Sequence, residues 1–215
     1  MTFTIVFFGW IFSLCLHEFS HALVAYYGGD YTVREKGYLT FNPLRYTHPV
    51  FSIVLPLVFL LLGGIGLPGG AVYIERWRIR NPFWLSAVSL AGPLSNLLVA
   101  VAIAVILRFS PVMPSGVWPG LSFLLVLQVS AVLFNLIPLP PFDGYGILEP
   151  FLSPAIREQV DRFRGAAIWI VLLAFWYIPV VAATFWGNVQ TLSSILGVDW
   201  TLVAIGFDRF RFWQL

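Results

Sequence analysis

The chain has 215 residues, of which 59% are hydrophobic and only 10% charged, and its mean hydropathy is +0.87. Soluble domains carry about 25% charged residues, so the composition excludes an ordinary soluble protein and indicates an integral membrane protein. Twelve Lys and Arg against ten Asp and Glu give a net charge of +2, a bias too small to suggest a nucleic-acid partner. We expect a single domain, residues 1–215, embedded in the lipid bilayer.

Four apolar blocks are long enough to cross a hydrocarbon core of about 30 Å. They are residues 3–27, 82–107, 118–137 and 165–186. The shorter block 51–67, with Pro56 inside it and glycines after it, favours a re-entrant segment. The polar block 188–207 is compatible with a further span or with a helix on the membrane surface. The sequence thus predicts an all-α polytopic membrane protein with five or six transmembrane helices and one re-entrant segment.

The basic residues form short clusters at 34–45, 76–80 and 157–164, which the positive-inside rule assigns to the cytoplasm. Neighbouring clusters on one side require an even number of crossings between them. Residues 51–70 then enter and leave on the same side, and 82–137 form a hairpin with 110–117 outside. Two further arginines at 209 and 211, if also cytoplasmic, slightly favour a final span at 188–207.

The first span contains three ionisable residues in the sequence HEFSH: His17, Glu18 and His21. At about 100° per residue, the two histidines lie about 40° apart on one helix face, and Glu18 lies about 60° from His21. This is the H-E-x-x-H arrangement in which two imidazoles share a zinc ion and the carboxylate reaches its water. Unpaired polar groups are costly in hydrocarbon, so a metal site explains this triplet better than solvated side chains do.

A catalytic zinc site needs a third protein ligand and one open position. Asp143 is the main candidate, because it follows the third span and a run of prolines that must end its helix. Irregular backbone at membrane depth is tolerated where it lines a wet cavity, which predicts a hydrated pocket here. His48 is the alternative ligand, although a solvated loop histidine explains it more simply.

Three segments together resemble the site-2 protease family of intramembrane zinc metalloproteases: HEFSH at 17–21, AGPLSN at 91–96 and NLIPLPPFDG at 135–144. The resemblance implies cleavage of a peptide bond within or beside the transmembrane helix of a single-span membrane-protein substrate. It also implies one Zn²⁺ ion held by His17, His21 and Asp143, with Glu18 as catalytic acid and base. The expected location is the cell (inner) membrane.

By the same resemblance, Asn96 and Asn135 line the site and hold the substrate backbone or the oxyanion. Residues 71–79 match a short strand region that pairs with an unfolded substrate by strand addition. The protease core then covers residues 3–148, followed by C-terminal helices in 149–215. This chain reads Asp-Gly-Tyr-Gly from position 143, where many members have a more polar run.

Two functions outside proteolysis compete with this interpretation: a metal transporter and a catalytically inactive, protease-like binding protein. A transporter is expected to carry ionisable groups in several spans, whereas here they concentrate at one site. An inactive binder is expected to have lost Glu18. The sequence therefore favours the enzyme.

Overall fold

The structure is a computed structural model that describes residues 1–42, 45, 72–111 and 116–211. Two 3₁₀ turns, Arg76–Arg78 and Glu149–Phe151, accompany the helices. In chain order the described helices are α1 (Thr2–Gly28), α2 (Thr32–Glu35), α3 (Pro82–Phe109), α4 (Val117–Asn135), α5 (Asp143–Leu148), α6 (Pro154–Arg162), α7 (Arg164–Tyr177), α8 (Pro179–Ile195) and α9 (Trp200–Phe210).

Three helices, α1, α3 and α4, are long and apolar enough to cross a membrane, which confirms the first three predicted spans. The ends of α1 and α4 are also confirmed. The first helix ends at Gly28, and Gly29 takes a φ of +120° that residues other than glycine rarely adopt. Helix α4 ends at Asn135, just before the proline-containing connection 136–142.

The apolar core lies where the first half of α1 meets α3, α4 and α9. Val6 and Leu125 are fully buried there, beside Trp10. At Gly9 a Cβ atom would lie 2.4 Å from a methyl carbon of Leu124, so the glycine allows α4 to approach α1 closely. The second half of α1 carries the polar residues and also packs, through Ala22 and Ala25, into a second apolar cluster.

The predicted fourth span, residues 165–186, is not one straight helix. The structure divides it into α7 and α8, whose axes differ in direction by 91°. Pro179 is the first residue of α8, and the residue before a proline is disfavoured in helical conformation. Accordingly Ile178 is extended, with φ −114° and ψ 92°. The pair α7–α8 is either one broken span or a re-entrant loop.

The structure does not support a final span at 188–207. This region contains the end of α8, a turn at Gly197 with a φ of +79°, and most of α9. With 11 residues, α9 is only about 16 Å long, too short to cross the bilayer. In the described part of the chain, three helices qualify as spans, or four with the bent pair, so the predicted five or six are not reached.

The strand predicted at 71–79 is not formed in the residues that the structure describes. Residues 72–75 have no regular structure, and Arg76–Arg78 form a 3₁₀ turn. We refer to residues 72–80 as the pre-α3 segment. The predicted re-entrant segment, 51–67, lies outside the described residues.

Candidate metal centre

A cavity of about 310 Å³ opens between the second half of α1, α3 and the connection that joins α4 to α5. Its wall includes His17, Glu18, His21, Asn135 and Asp143. A cavity with ionisable side chains in its wall therefore exists within the helical bundle where the sequence predicted a hydrated pocket.

Three potential metal ligands converge on this cavity: His17, His21 and Asp143. The two Nε2 atoms are 3.0 Å apart, and the Asp143 carboxylate oxygens lie 3.2 Å from Nε2 of His17 and 3.4 Å from Nε2 of His21. A tetrahedral zinc site with bonds of about 2.0–2.1 Å has ligand atoms about 3.3 Å apart. The spacing of the two nitrogens and the carboxylate oxygens therefore fits zinc.

The hydrogen bonds of the two imidazoles are also those expected of metal-binding histidines. Nδ1 of His17 donates to Oδ1 of Asn96, and Nδ1 of His21 donates to the Val88 carbonyl, each at 2.6 Å. A neutral imidazole that donates from Nδ1 has a lone pair on Nε2. Two lone pairs and a carboxylate thus face one another, an arrangement that a cation stabilises. Partners of this kind on the distal nitrogen are typical of metal-binding histidines.

A glycine allows α3 to lie against both histidines. At Gly92 a Cβ atom would lie 2.3 Å from Nε2 of His21 and 2.5 Å from Nε2 of His17, closer than real Cβ contacts allow. Sequence analysis quoted the segment 91–96 but gave this glycine no role. The signal was present, because a glycine inside a membrane-length helix often marks a close approach of backbone.

Asp143 reaches the histidines because the chain turns sharply after α4. The connection 136–142 contains three prolines, and Asp143 is the first residue of α5. At Gly144 a Cβ atom would lie 2.2 Å from the Leu136 carbonyl oxygen, so only glycine permits this tight turn. His48, the alternative third ligand, lies outside the described residues.

The Glu18 carboxylate lies beside the three ligands in the same cavity. Its side chain is buried, with 4% of its surface exposed, and Oε2 accepts a hydrogen bond from the Val72 backbone N–H at 3.2 Å. Ile74 lines the cavity as well. The pre-α3 segment therefore forms the wall next to Glu18.

The two predicted substrate-binding asparagines have different surroundings. The Asn96 amide accepts from His17 and donates to Ser13 and Gln128, so all of its polar atoms have protein partners. This arrangement favours support of His17 over direct contact with a substrate. Asn135 lines the cavity at the end of α4, and its contact with a substrate stays a prediction. Sequence analysis overlooked Ser13 and Gln128, although both are polar residues within apolar spans.

A buried aspartate fixes the pre-α3 segment. Asp30 is fully buried, and its carboxylate accepts hydrogen bonds from the Thr32 N–H at 3.1 Å and the Glu75 N–H at 2.7 Å. Glu75 in turn accepts from Lys36 and Arg78, and these cations lower the pKa of its carboxyl group. Glu75 is thus ionised at neutral pH and ties its segment to the loop after α1.

Neither a protein-family model nor a solved structure matches the chain. Curated relatives do. A Mycobacterium tuberculosis protein named "Putative zinc metalloprotease Rip2" is 42% identical over 215 residues, 99% of this chain and 82% of the relative. The protein of that name from Mycolicibacterium smegmatis is 43% identical over 216 residues, with the same shares of both chains.

A Bacillus subtilis protein named "Putative zinc metalloprotease YwhC" is 31% identical over 188 residues, 82% of this chain and 81% of the relative. The first two matches cover 99% of the chain and therefore extend across the helices that carry the converging histidines and aspartate. Together with the motifs and the geometry of the site, they show that the chain belongs to the site-2 protease family of zinc metalloproteases.

Proposed function

We propose that this protein is an intramembrane zinc endopeptidase that hydrolyses a peptide bond in or beside the transmembrane segment of a single-span membrane protein. The convergence of His17, His21 and Asp143, with Glu18 in the same cavity, is the observation that carries the proposal. Cell-membrane location and contact with the lipid bilayer belong to the same proposal, which the apolar helices support.

The depth of the site supports cleavage within the membrane. At 1.5 Å per residue, His21 and His17 lie about 10 and 16 Å from the end of α1. This depth falls inside a hydrocarbon core of about 30 Å if α1 spans the bilayer. The scissile peptide bond must therefore come from a segment that itself enters the membrane.

Peptide hydrolysis requires a base for the attacking water and an acid for the departing amine. A zinc ion held by His17, His21 and Asp143 would supply an acidified water and would polarise the substrate carbonyl. Glu18 accepts the proton of the water and then returns it to the amine nitrogen. Asn135 contributes an amide donor at the cavity wall, suited to the carbonyl oxygen as it gains negative charge.

The substrate must lose its helical structure locally, because helix carbonyls are engaged in hydrogen bonds. The pre-α3 segment is suited to hold an unwound substrate, since residues 72–75 make no regular structure of their own beside Glu18. In this proposal the strand predicted from the sequence forms only when a substrate pairs with that segment.

The test combines metal analysis of the purified protein with cleavage of a panel of single-span substrates in detergent or proteoliposomes. Wild-type protein should contain one zinc per chain and cleave at least one substrate. Glu18→Gln should keep the zinc, because the three ligands remain, and should lose cleavage. Wild-type cleavage rates in Glu18→Gln would overturn the role of Glu18.

Measurements of zinc flux and substrate binding, added to this experiment, distinguish the two alternatives. Zinc flux into proteoliposomes without cleavage identifies a transporter. Stable substrate binding by the wild-type protein without any hydrolysis identifies an inactive binding protein. Either outcome rejects the protease.

A further inference from the structure

A buried polar cluster lies next to the metal centre, in contact with His17. Ser13 of α1, Asn96 of α3 and Gln128 of α4 contact one another and are 1%, 3% and 0% exposed. Polar side chains at this depth are costly unless they are paired, and they usually serve a function. Gln128 makes no contact with the three metal ligands in any described hydrogen bond, so its function must be indirect.

We propose that Gln128 is a positioning residue for the metal centre, acting through Asn96 on His17. This inference rests on the proposed zinc site and assigns to it a residue on a third helix. The geometry points to Gln128 because it determines which end of the Asn96 amide faces the histidine.

With Oε1 of Gln128 facing the cluster, the hydrogen bonds permit only one orientation of Asn96. Oε1 of Gln128 accepts from Nδ2 of Asn96 at 2.9 Å and also from the Ser13 hydroxyl. Oγ of Ser13 accepts from Nδ2 of Asn96 at 3.0 Å. Both hydrogens of the Asn96 amide are therefore used. A reversed amide would place Oδ1 against the acceptor oxygen of Gln128 and lose these bonds.

The orientation of Asn96 then determines the tautomer of His17. Oδ1 of Asn96 lies 2.6 Å from Nδ1 of His17 and, as an acceptor, requires a proton on that nitrogen. The lone pair is left on Nε2, which faces Nε2 of His21 at 3.0 Å and the carboxylate of Asp143 at 3.2 Å. Without Gln128, the amide is free to reverse and to present N–H groups to His17.

Two substitutions at Gln128 distinguish the effect of its acceptor oxygen from the effect of its size. Gln128→Met keeps the length of the side chain and removes the acceptor, whereas Gln128→Glu keeps an acceptor oxygen. Nε2 of Gln128 has no hydrogen-bond partner among the described residues, so Gln128→Glu loses no bond there. Ser130→Ala is the matched control, because Ser130 is a buried polar residue of the same helix whose hydroxyl donates to the Leu127 carbonyl and, among the described residues, makes no hydrogen bond to the metal centre.

The measurements are zinc affinity by competition with a chelator, the visible absorption spectrum after Co²⁺ substitution, and thermal stability. Gln128→Met should weaken zinc binding by about tenfold, the effect typical of partners behind metal-binding histidines, and alter the cobalt spectrum. Gln128→Glu should keep the affinity and spectrum of the wild-type protein. Ser130→Ala should change neither.

A second variant guards against a misfolded Gln128→Met. Ser13→Ala removes one acceptor of the Asn96 amide with a small change in volume, and it should weaken zinc binding less than Gln128→Met. A double variant with Asn96→Leu tests the relay, because Gln128→Met should then cause no further loss.

The outcomes separate this inference from the proposed function. Wild-type zinc affinity and cobalt spectra in both Gln128→Met and Ser13→Ala would overturn the positioning role while leaving the zinc protease in place. Lost affinity in Gln128→Glu equal to that in Gln128→Met would also overturn it, since the acceptor would not matter. A wild-type protein that binds no zinc would reject the proposed function and this inference with it.

Discussion

Oδ2 of Asp143 lies 3.2 Å from Nε2 of His17, although two membrane-length helices, α3 and α4, separate them in the chain. This contact joins α5 to α1 at the candidate metal centre. The metal ligands thus connect the two ends of the protease core, and metal binding is expected to contribute to folding stability.

Asp143→Ala should lower zinc content, cleavage and thermal stability together. The substitution leaves only the two histidines of one helix, which bind zinc weakly without a third ligand. Asp161→Ala is the control, since Asp161 is half-exposed in an ion pair with Arg164 worth at most about 1 kcal/mol. Full zinc occupancy in Asp143→Ala would place the third ligand elsewhere, with His48 the next residue to replace.

Gly92→Ala should prevent metal binding without removing any ligand. The added methyl group would lie 2.3 Å from Nε2 of His21, so α3 or the histidines must shift. Overpacking of this kind typically costs about 1–3 kcal/mol. The measurements are zinc content and thermal stability.

Gly187→Ala is the matched control for Gly92→Ala. It is a glycine inside α8 whose added Cβ meets nothing within 4 Å. This substitution should leave zinc binding unchanged and stabilise the helix by about 0.5–1 kcal/mol. Normal zinc content in Gly92→Ala would show that the two helices can separate at no cost to the site.

The membrane topology can be tested by labelling single cysteines in a Cys15→Ala background. Residues 40, 78 and 159 should react from the cytoplasm, and residue 115 from the outside. Two ion pairs connect the regions near residues 40, 78 and 159 and so support their location on one side of the membrane. They are Lys36–Glu75 at 2.9 Å and Arg76–Glu149 at 2.8 Å. Labelling of residues 40 and 78 from opposite sides would make 51–67 a true span.

Asp30→Ala should release the pre-α3 segment from the loop after α1. The substitution leaves the Glu75 and Thr32 N–H groups without their carboxylate acceptor, a loss of about 1–3 kcal/mol for a buried group. Hydrogen exchange at residues 72–75 should become faster, and cleavage should become slower. Asp208→Ala, at a side chain 72% exposed, should change neither rate. Unchanged exchange in Asp30→Ala would contradict the anchoring role.

Much of the site could be predicted because its signals are local. The spacing of His17 and His21 follows from one helical turn, and apolar length alone identifies α1, α3 and α4. Proline chemistry identifies the turn before Asp143. By contrast, the partners Ser13 and Gln128 come from different helices, and no local pattern reports which polar residues meet across a bundle.

The C-terminal region was predicted less well, for a related reason. Hydropathy measures how apolar a segment is and carries no information on the direction of a helix, so α7 and the first half of α8 were predicted as one continuous span, 165–186. Pro179 was the available signal, but a proline in the first turn of a helix resembles one in the interior of a longer helix. The short α9 owes its position to packing against α4, as at Gly206, whose Cβ would lie 2.2 Å from the Pro119 carbonyl oxygen.

The two halves of α1 belong to different structural units. Val6, Trp10 and Leu14 pack into the apolar core with α3, α4 and α9, whereas His17 and His21 face the metal centre. The bundle is therefore held together at one end without any metal. Chelation should leave the helix content nearly intact and expose the connection 136–142 to added protease. Metal binding would then stabilise the turn that carries Asp143 more than it stabilises the bundle itself.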